Sequence, residues 1–225
     1  RGHLRIVTWP NVGPAPSIVV DGEGARAYLP QTMASGLGLN TGFDTTVFPK
    51  VSVLNLETWS HQVSEHISLP ETDRPVGLPW EVALAAGGTE LWVVNAGSND
   101  VSVIDISDPD RPVRRAHIPV GHNPRGIAVR PDGTTAYVNN VLAGTVSVID
   151  TETYTVTAVI SVTTIPLPPA LLHGKRLYHS SDRADLAQAA WISCNTCHVE
   201  GEHDGRTWLL QYTRGVPPGA RPVIT

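Results

Sequence analysis

Val101-Ser102-Val103-Ile104-Asp105 returns 45 positions later as Val146-Ser147-Val148-Ile149-Asp150, and Val51-Ser52-Val53-Leu54-Asn55 precedes the first copy by 50. A period of that length confines a chain to architectures in which one small unit stacks on copies of itself, because a single unit cannot bury its own apolar faces. A second pattern leads into each copy. Pro79 opens Trp80-Glu81-Val82-Ala83-Leu84, Pro124 opens Arg125-Gly126-Ile127-Ala128-Val129 45 positions on, and Pro16 opens Ser17-Ile18-Val19-Val20. Between the two patterns stand Leu91-Trp92-Val93-Val94-Asn95, Ala136-Tyr137-Val138-Asn139 and Ala27-Tyr28-Leu29.

Each unit reads as four short strands. The segment after the proline is the first, and Gly87-Gly88 or Asp132-Gly133 then reverses the chain by supplying positive φ. The aromatic-containing segment is the second and Val-Ser-Val-Ile-Asp the third. Arg115-Ala116-His117-Ile118-Pro119-Val120 or Thr157-Ala158-Val159-Ile160-Ser161-Val162 closes the unit. Asp105 and Asp150 end their strands where a carboxylate can accept the amides of the following turn, a structural role. Four strands in a 45-residue repeat describe a propeller blade. The expected fold class is therefore an all-β propeller over residues 1–165, with three blades present, followed by a small, mainly α domain over 166–225. A closed ring takes about four to eight blades, and Leu4-Arg5-Ile6-Val7 reads as the closing strand of an earlier one. The chain is accordingly read as a fragment, the missing blades coming from the rest of the polypeptide or from another chain.

The composition suits repeated strands and turns: 20 Gly and 19 Pro in 225 residues, with 16% charged residues against about 25% in average soluble domains. A net charge of −5 with no basic cluster argues against a nucleic-acid partner. The longest uncharged stretch, Tyr154 to Leu172, carries Pro166, Pro168 and Pro169 and reads as strand plus linker rather than a membrane span. No signal-peptide pattern follows Arg1, so any signal is read as missing or already removed. The first copy differs in length: the excess falls in Gln31 to Lys50, read as a long blade-edge loop that holds the only methionine, Met33.

Tyr137-Val138-Asn139-Asn140, with Pro124, Asp132-Gly133 and Val146 to Asp150 around it, resembles the YVTN family of β-propeller repeats over roughly residues 1–165. That resemblance implies an extracytoplasmic seven-bladed propeller.

Past Pro169 the strand periodicity stops. Ala170 to Tyr178 reads as a short helix with Leu171, Gly174 and Tyr178 on one face. Cys194-Asn195-Thr196-Cys197-His198 follows and holds both cysteines of the chain. Cys-x-x-Cys-His is the attachment pattern of c-type haem: two thiols at that spacing can add to both vinyl groups of one haem, and the adjacent histidine can ligate the iron. Three alternatives compete. A thioredoxin-like redox pair would need a βαβ unit around it. A zinc site from Cys194, Cys197, His198 and His203 would lack the usual second knuckle. A disulfide across two intervening residues would close almost no loop.

Leu172-His173-Gly174-Lys175-Arg176-Leu177-Tyr178, then Trp191-Ile192-Ser193 ahead of the cysteines, then Asp204-Gly205-Arg206-Thr207-Trp208, resembles the start of the bacterial di-haem cytochrome c peroxidase family over about residues 169–216. The resemblance implies one covalent haem c on Cys194 and Cys197, with His198 as the proximal iron ligand. It also brings departures: the family carries two haem motifs and this chain has one. The candidates for a sixth ligand are His179, His173, His203 and Met33, while His61, His66, His117 and His122 lie on blades and are read as non-functional. Asp204 and Arg206 could contact a propionate, and Trp191 and Trp208 could wall a haem pocket.

The functional expectation is an extracytoplasmic c-type haem protein, periplasmic or extracellular, that carries electrons. Its propeller would be a docking or assembly surface for a redox partner or a larger electron-transfer complex. Two alternatives stand beside it: a peroxidase-like oxidoreductase whose second haem lies outside this chain, and a non-catalytic haem-bearing subunit of a larger redox complex.

Overall fold

A computed structural model of the chain describes residues 6, 13–34, 47–59, 66–183, 185–187, 192–202, 208–209 and 223–224. The 45-residue period becomes three antiparallel four-stranded sheets, each in sequence order. The first holds β1 (Val19–Val20), β2 (Arg26–Ala34), β3 (Val47–Asn55) and β4 (His66–Ser68). A one-turn helix, α1 (Leu69–Thr72), leads to β5 (Pro79–Ala85), β6 (Glu90–Asn95), β7 (Asp100–Asp105) and β8 (Val113–Pro119). The third sheet is β9 (Pro124–Val129), β10 (Thr135–Asn140), β11 (Thr145–Asp150) and β12 (Thr155–Ser161). Gly133, at φ +75°, makes the β9–β10 reversal as the Asp-Gly pair requires. The strand-ending residues behave as expected. Asn55 Oδ1, Asp105 Oδ1 and Asp150 Oδ1 each accept an amide two residues on, at 2.9, 2.8 and 3.1 Å.

One reading needs correction. Gln31–Ala34 and Val47–Lys50 are not loop: Gln31 pairs with Lys50 and Ala34 with Val47, so the β2–β3 ladder runs well into the apparent insertion. Met33 sits in that ladder opposite Phe48; residues 35–46 lie outside the described residues, as does Leu4–Val7 apart from an exposed Ile6. His117 lies on blade 2, in β8, with its side chain only 10% exposed. Its Nδ1 lies 2.8 Å from Asp73 Oδ2 and its Nε2 3.5 Å from Asp100 Oδ2, inside a buried cluster. Ser102 Oγ also donates to Asp73 (2.6 Å). Burial pushes the Asp73 carboxyl up, but His117, Ser102 and Arg114 together hold it below its ordinary range. Asp73 belongs to the connection after α1, so the cluster pins that connection to blade 2.

The same internal polar contact recurs in every blade. Asn95 Nδ2 donates to Ser102 Oγ at 3.0 Å, Asn140 Nδ2 to Ser147 Oγ at 2.9 Å, and in blade 1 Ser52 Oγ donates to Gln31 Oε1 at 2.5 Å. All six side chains are buried. Each pair satisfies polar groups that would otherwise be stranded between two sheets.

Apolar packing fills the two blade interfaces. Tyr28, Val51, Ile67, Leu69 and Val76 pack against Val82, Leu91, Val93 and Ile104 of blade 2. The opposite face of blade 2, Trp92, Val94, Val101 and Val103, packs against Ala136, Val138 and Ile149 of blade 3. Alternation along β6 thus sends Leu91 and Val93 one way and Trp92 and Val94 the other. Tyr154 crosses the second interface, its hydroxyl donating to Glu90 (2.5 Å); burial and that carboxylate push its pKa up to about 12. Tyr137 occupies the register position of Trp92 and is 37% exposed where Trp92 is fully buried, since no further blade covers it among the described residues.

Candidate functional site

The ends of β6 and β10, the β6–β7 and β10–β11 turns, and the entries of β5 and β9 share one end of the blades, because Pro79 pairs with Asn95 and Pro124 with Asn140. The inner strands enter there in an unusual way. Leu78 and Asn123, 45 positions apart, both hold positive φ (50° and 51°) ahead of their prolines. That is a strained choice for a residue before proline. A bulge follows in each: the register steps from Pro79 to Glu81 and from Pro124 to Gly126, leaving Trp80 and Arg125 without ladder partners. Bulges re-aim side chains. Here the guanidinium of Arg125 lies over the Trp80 ring, 3.9 Å from its centroid.

The segment after blade 3 folds back onto this end. The expected helix is present as α2 (Pro169–His179), with Pro169 at its first turn and Arg176 and His179 in its last. Arg176 Nε donates to the Leu142 carbonyl (2.9 Å), and the Ser181 amide to the Gly97 carbonyl (2.7 Å). Asn99 Nδ2 donates to Ser180 Oγ and Asp182 Oδ2 (2.8 and 2.7 Å). Asn99 has φ 60° in the β6–β7 turn, and the equivalent position in blade 3 is Gly144, φ 68°. Blade 2 therefore uses the one non-glycine residue that tolerates this conformation well, and its amide does the docking.

Cys194 and Cys197 begin and end a single helical turn, α3 (Cys194–Cys197). Ser193 caps it with Thr196 in a reciprocal box, the Ser193 amide donating to Thr196 Oγ1 at 3.0 Å. Cys194 is exposed and Cys197 half-buried, both as thiols. His198 terminates the turn, and the Tyr178 hydroxyl of α2 donates to its carbonyl. Asn195, fully buried, accepts the Glu200 amide at 3.0 Å. Glu200 sits at φ 56°, ψ 23°, a left-handed conformation that costs a non-glycine residue about 1–2 kcal/mol. Its carboxylate meets Arg125 of blade 3 at 2.5 Å. Burial pushes that carboxyl up, but the Arg125 contact outweighs it and holds it below the ordinary range.

The spacing thus brings Cys194, Cys197 and His198 together on one turn with Tyr178 beneath it. The sixth-ligand candidates separate. His179 is buried, lines a cleft of about 460 Å³ with Leu171, Gly174, Tyr178 and Glu200, and has no hydrogen-bond partner for Nδ1 among the described residues. His173 is exposed on α2, Met33 is half-buried in blade 1, and His203 lies outside the described residues, as do Trp191, Asp204 and Arg206. Among the described residues no group of three or more His, Cys, Asp or Glu side chains is arranged to hold a metal ion. Arg125, Trp80, Tyr178 and Asn195 are site residues that the sequence reading missed. Comparing repeat copies would have flagged two of them, since the bulged position holds Trp in one blade and Arg in the next.

Burial, followed by the charges of Arg125 and Lys175, pushes the His179 imidazole down to about 4, so it is neutral at neutral pH. The unfolded chain takes up this proton near pH 6.5, the folded chain near 4. The stabilisation is therefore full above about pH 6.5 and lost as pH falls toward 4, at most about 3 kcal/mol. Denaturant midpoints of the chain from pH 7 to 4.5 should fall more steeply for wild type than for His179→Gln; parallel curves would contradict the assignment.

The solved structures that resemble the chain include hydrazine synthase of Kuenenia stuttgartiensis, at 23% identity and a TM-score of 0.46 over 70% of this chain and 39% of that one. They also include a nidogen/laminin complex (16%, TM-score 0.44, 64% and 45%) and the dihydro-heme d1 dehydrogenase NirN (19%, TM-score 0.38, 49% and 22%). The chain spans less than half the length of each of these. No curated protein matches it. A family model described as "Lactonase, 7-bladed beta-propeller" matches residues 55–189, which run from the end of the third strand of blade 1 through blades 2 and 3 to just past α2. By that match over more than half its length, the chain belongs to the seven-bladed β-propeller lactonase family.

Proposed function

We propose that this chain is an extracytoplasmic c-type haem protein that carries electrons, with the propeller end described above as the platform for its haem-bearing segment. The observation that carries the reading is the single capped turn on which an exposed Cys194 and a half-buried Cys197 flank Asn195 and Thr196 directly ahead of His198. The residues fit a haem. Cys194 is exposed, the turn is fixed at both ends, and a cleft of about 460 Å³ that begins two residues past His198, at Glu200 and Gly201, has an apolar wall from Ala170, Leu171 and Tyr178 with Lys175 beside it. His179, neutral and with no hydrogen-bond partner for Nδ1 among the described residues, borders the same cleft.

In this reading Cys194 and Cys197 would hold the haem covalently through their sulfurs, and His198 would supply a nitrogen ligand to its iron. The haem, when bound, supplies a one-electron Fe(III)/Fe(II) couple whose potential depends on the axial ligands and their hydrogen bonds. The chain's own residues hold that geometry: Ser193 and Thr196 close the turn, Tyr178 fixes the His198 carbonyl, and Asn195 fixes the chain beyond it. The ties from Asn99, Arg125 and Leu142 seat the segment on blades 2 and 3, so a redox partner would meet propeller and haem segment as one surface.

The test is direct. The chain, produced in a cell that matures c-type cytochromes outside the cytoplasm, should keep haem through denaturation and give a haem-staining band at its own mass of 24.1 kDa plus one haem. A purified protein with no Soret band that binds zinc at these residues instead would overturn the reading.

A further inference from the structure

The bulge at Pro124–Gly126, which repeats that of blade 2 at Pro79–Glu81, costs blade 3 a ladder position and places Arg125 against residue 200, two residues past His198. Three contacts fix that guanidinium at once. Its face lies on Trp80 (3.9 Å), Nε donates to Asn123 Oδ1 (2.9 Å), and NH1 meets Glu200 Oε1 (2.5 Å). Its side chain is only 16% exposed. Both supports come from the repeat itself: Trp80 is the matching bulged residue of blade 2, and Asn123 is the left-handed residue that creates the bulge. On the far side, the left-handed Glu200 has its amide held by the buried Asn195 and its carboxylate by Arg125, within a turn closed by the Gly201 and Glu202 amides on the His198 and Val199 carbonyls. Strain of this kind persists where the surroundings over-determine it, and it gathers at functional sites.

We propose that Arg125 is a positioning residue for His198: the propeller, through the Trp80–Arg125 stack and Glu200, sets the backbone that follows His198 and thereby the orientation of its imidazole. The inference rests on the haem reading for its redox consequence but not for its geometry. Arg is required rather than any cation, since a planar guanidinium can stack on an indole and pair with a carboxylate together, which an ammonium cannot. The pair is partly exposed, so the effect is moderate, about fivefold in an equilibrium constant.

Full-length wild type, Arg125→Ala, Arg125→Lys and Arg176→Ala are compared by two readouts. The first is hydrogen exchange of the amides of residues 199–202 in the haem-free chain. The second is the haem's reduction equilibrium against a fixed electron donor. Arg125→Ala should speed exchange at Glu200 and shift the redox equilibrium, each about fivefold, with Arg125→Lys between it and wild type. Arg176→Ala removes a different tie between the segment and blade 3 and should move neither. Unchanged exchange in Arg125→Ala, or an equal redox shift in Arg176→Ala, overturns the proposal in favour of simple docking. If wild type takes up no haem, the haem reading fails and the exchange result alone decides the role of Arg125. Intact circular dichroism of the blades in each variant excludes global unfolding as the cause.

Discussion

Replacing Trp92 with alanine is expected to destabilise the chain by about 3–5 kcal/mol, the cost of deleting a large buried aromatic whose site cannot fully collapse. The indole is fully buried between blades 2 and 3, packed with Val94, Val101 and Val103 against Ala136, Val138 and Ile149. Its Nε1 donates to Glu90 Oε2 (3.2 Å), and the Tyr154 ring lies 6.1 Å away. The loss therefore combines apolar area, a cavity and a carboxylate left with one donor fewer. Since ordinary domains are stable by only about 5–15 kcal/mol, the variant should show a large fall in urea midpoint. The strands beyond the interface, β9 to β12, should lose exchange protection first. Trp92→Phe separates the contributions in part, because it keeps an aromatic ring in the interface but gives up the Glu90 contact, about 1.5–3 kcal/mol for a bond to a carboxylate, and part of the indole's volume. A Trp92→Ala midpoint equal to that of Trp92→Phe would mean that the blade interface does not depend on this side chain.

Trp92 also illustrates how far the sequence speaks for itself. Its place in the repeat was legible, and so was the blade: a 45-residue period, proline-led first strands and Asp-Gly or Gly-Gly turns leave little else that can bury both faces of four short strands. The β2–β3 extension was not legible, because Pro30 and Pro49 and the Gly- and Thr-rich stretch between them argue locally against a ladder. Both prolines nevertheless sit in register, opposite Val51 and Thr32. Nor was the burial of His117, which depends on Asp73 arriving from a connection 44 residues away. Pairings of that separation leave no local trace.

At the site the pattern was reversed. Cys194, Cys197 and His198 announce themselves by spacing, while the groups that hold them are scattered: Tyr178 on α2, Asn195 inside the motif, Arg125 and Trp80 on two blades. The readable trace of the scattered set is where repeat copies disagree. Positions 99 and 144 share one backbone conformation but hold Asn and Gly, and positions 80 and 125 share one bulge but hold Trp and Arg. A repeat conserves what its fold needs, so the positions at which aligned copies differ while keeping the same geometry are those free to serve the attached segment.

On the proposed haem reading, that separation of fold from attached segment makes the largest chemical effect separable as well. Cys194→Ala combined with Cys197→Ala is expected to remove covalent haem essentially completely, and each single change should leave haem held by one thioether, with haem staining reduced several-fold. The blades should not notice, because α3 lies outside both blade interfaces and Cys194 is exposed. Urea midpoints of the haem-free double variant should stay within about 0.5 kcal/mol of haem-free wild type, as for a surface change away from packed groups. His198→Gly is distinct from both: it keeps the two thiols and hence the covalent attachment, but removes the nitrogen ligand and so changes the visible spectrum rather than the stain. A structural zinc or a disulfide at these cysteines would give the opposite pattern, with stability falling sharply in the double variant and no haem lost. The order of effects across these three variants therefore distinguishes a haem turn from a structural one without reference to any activity.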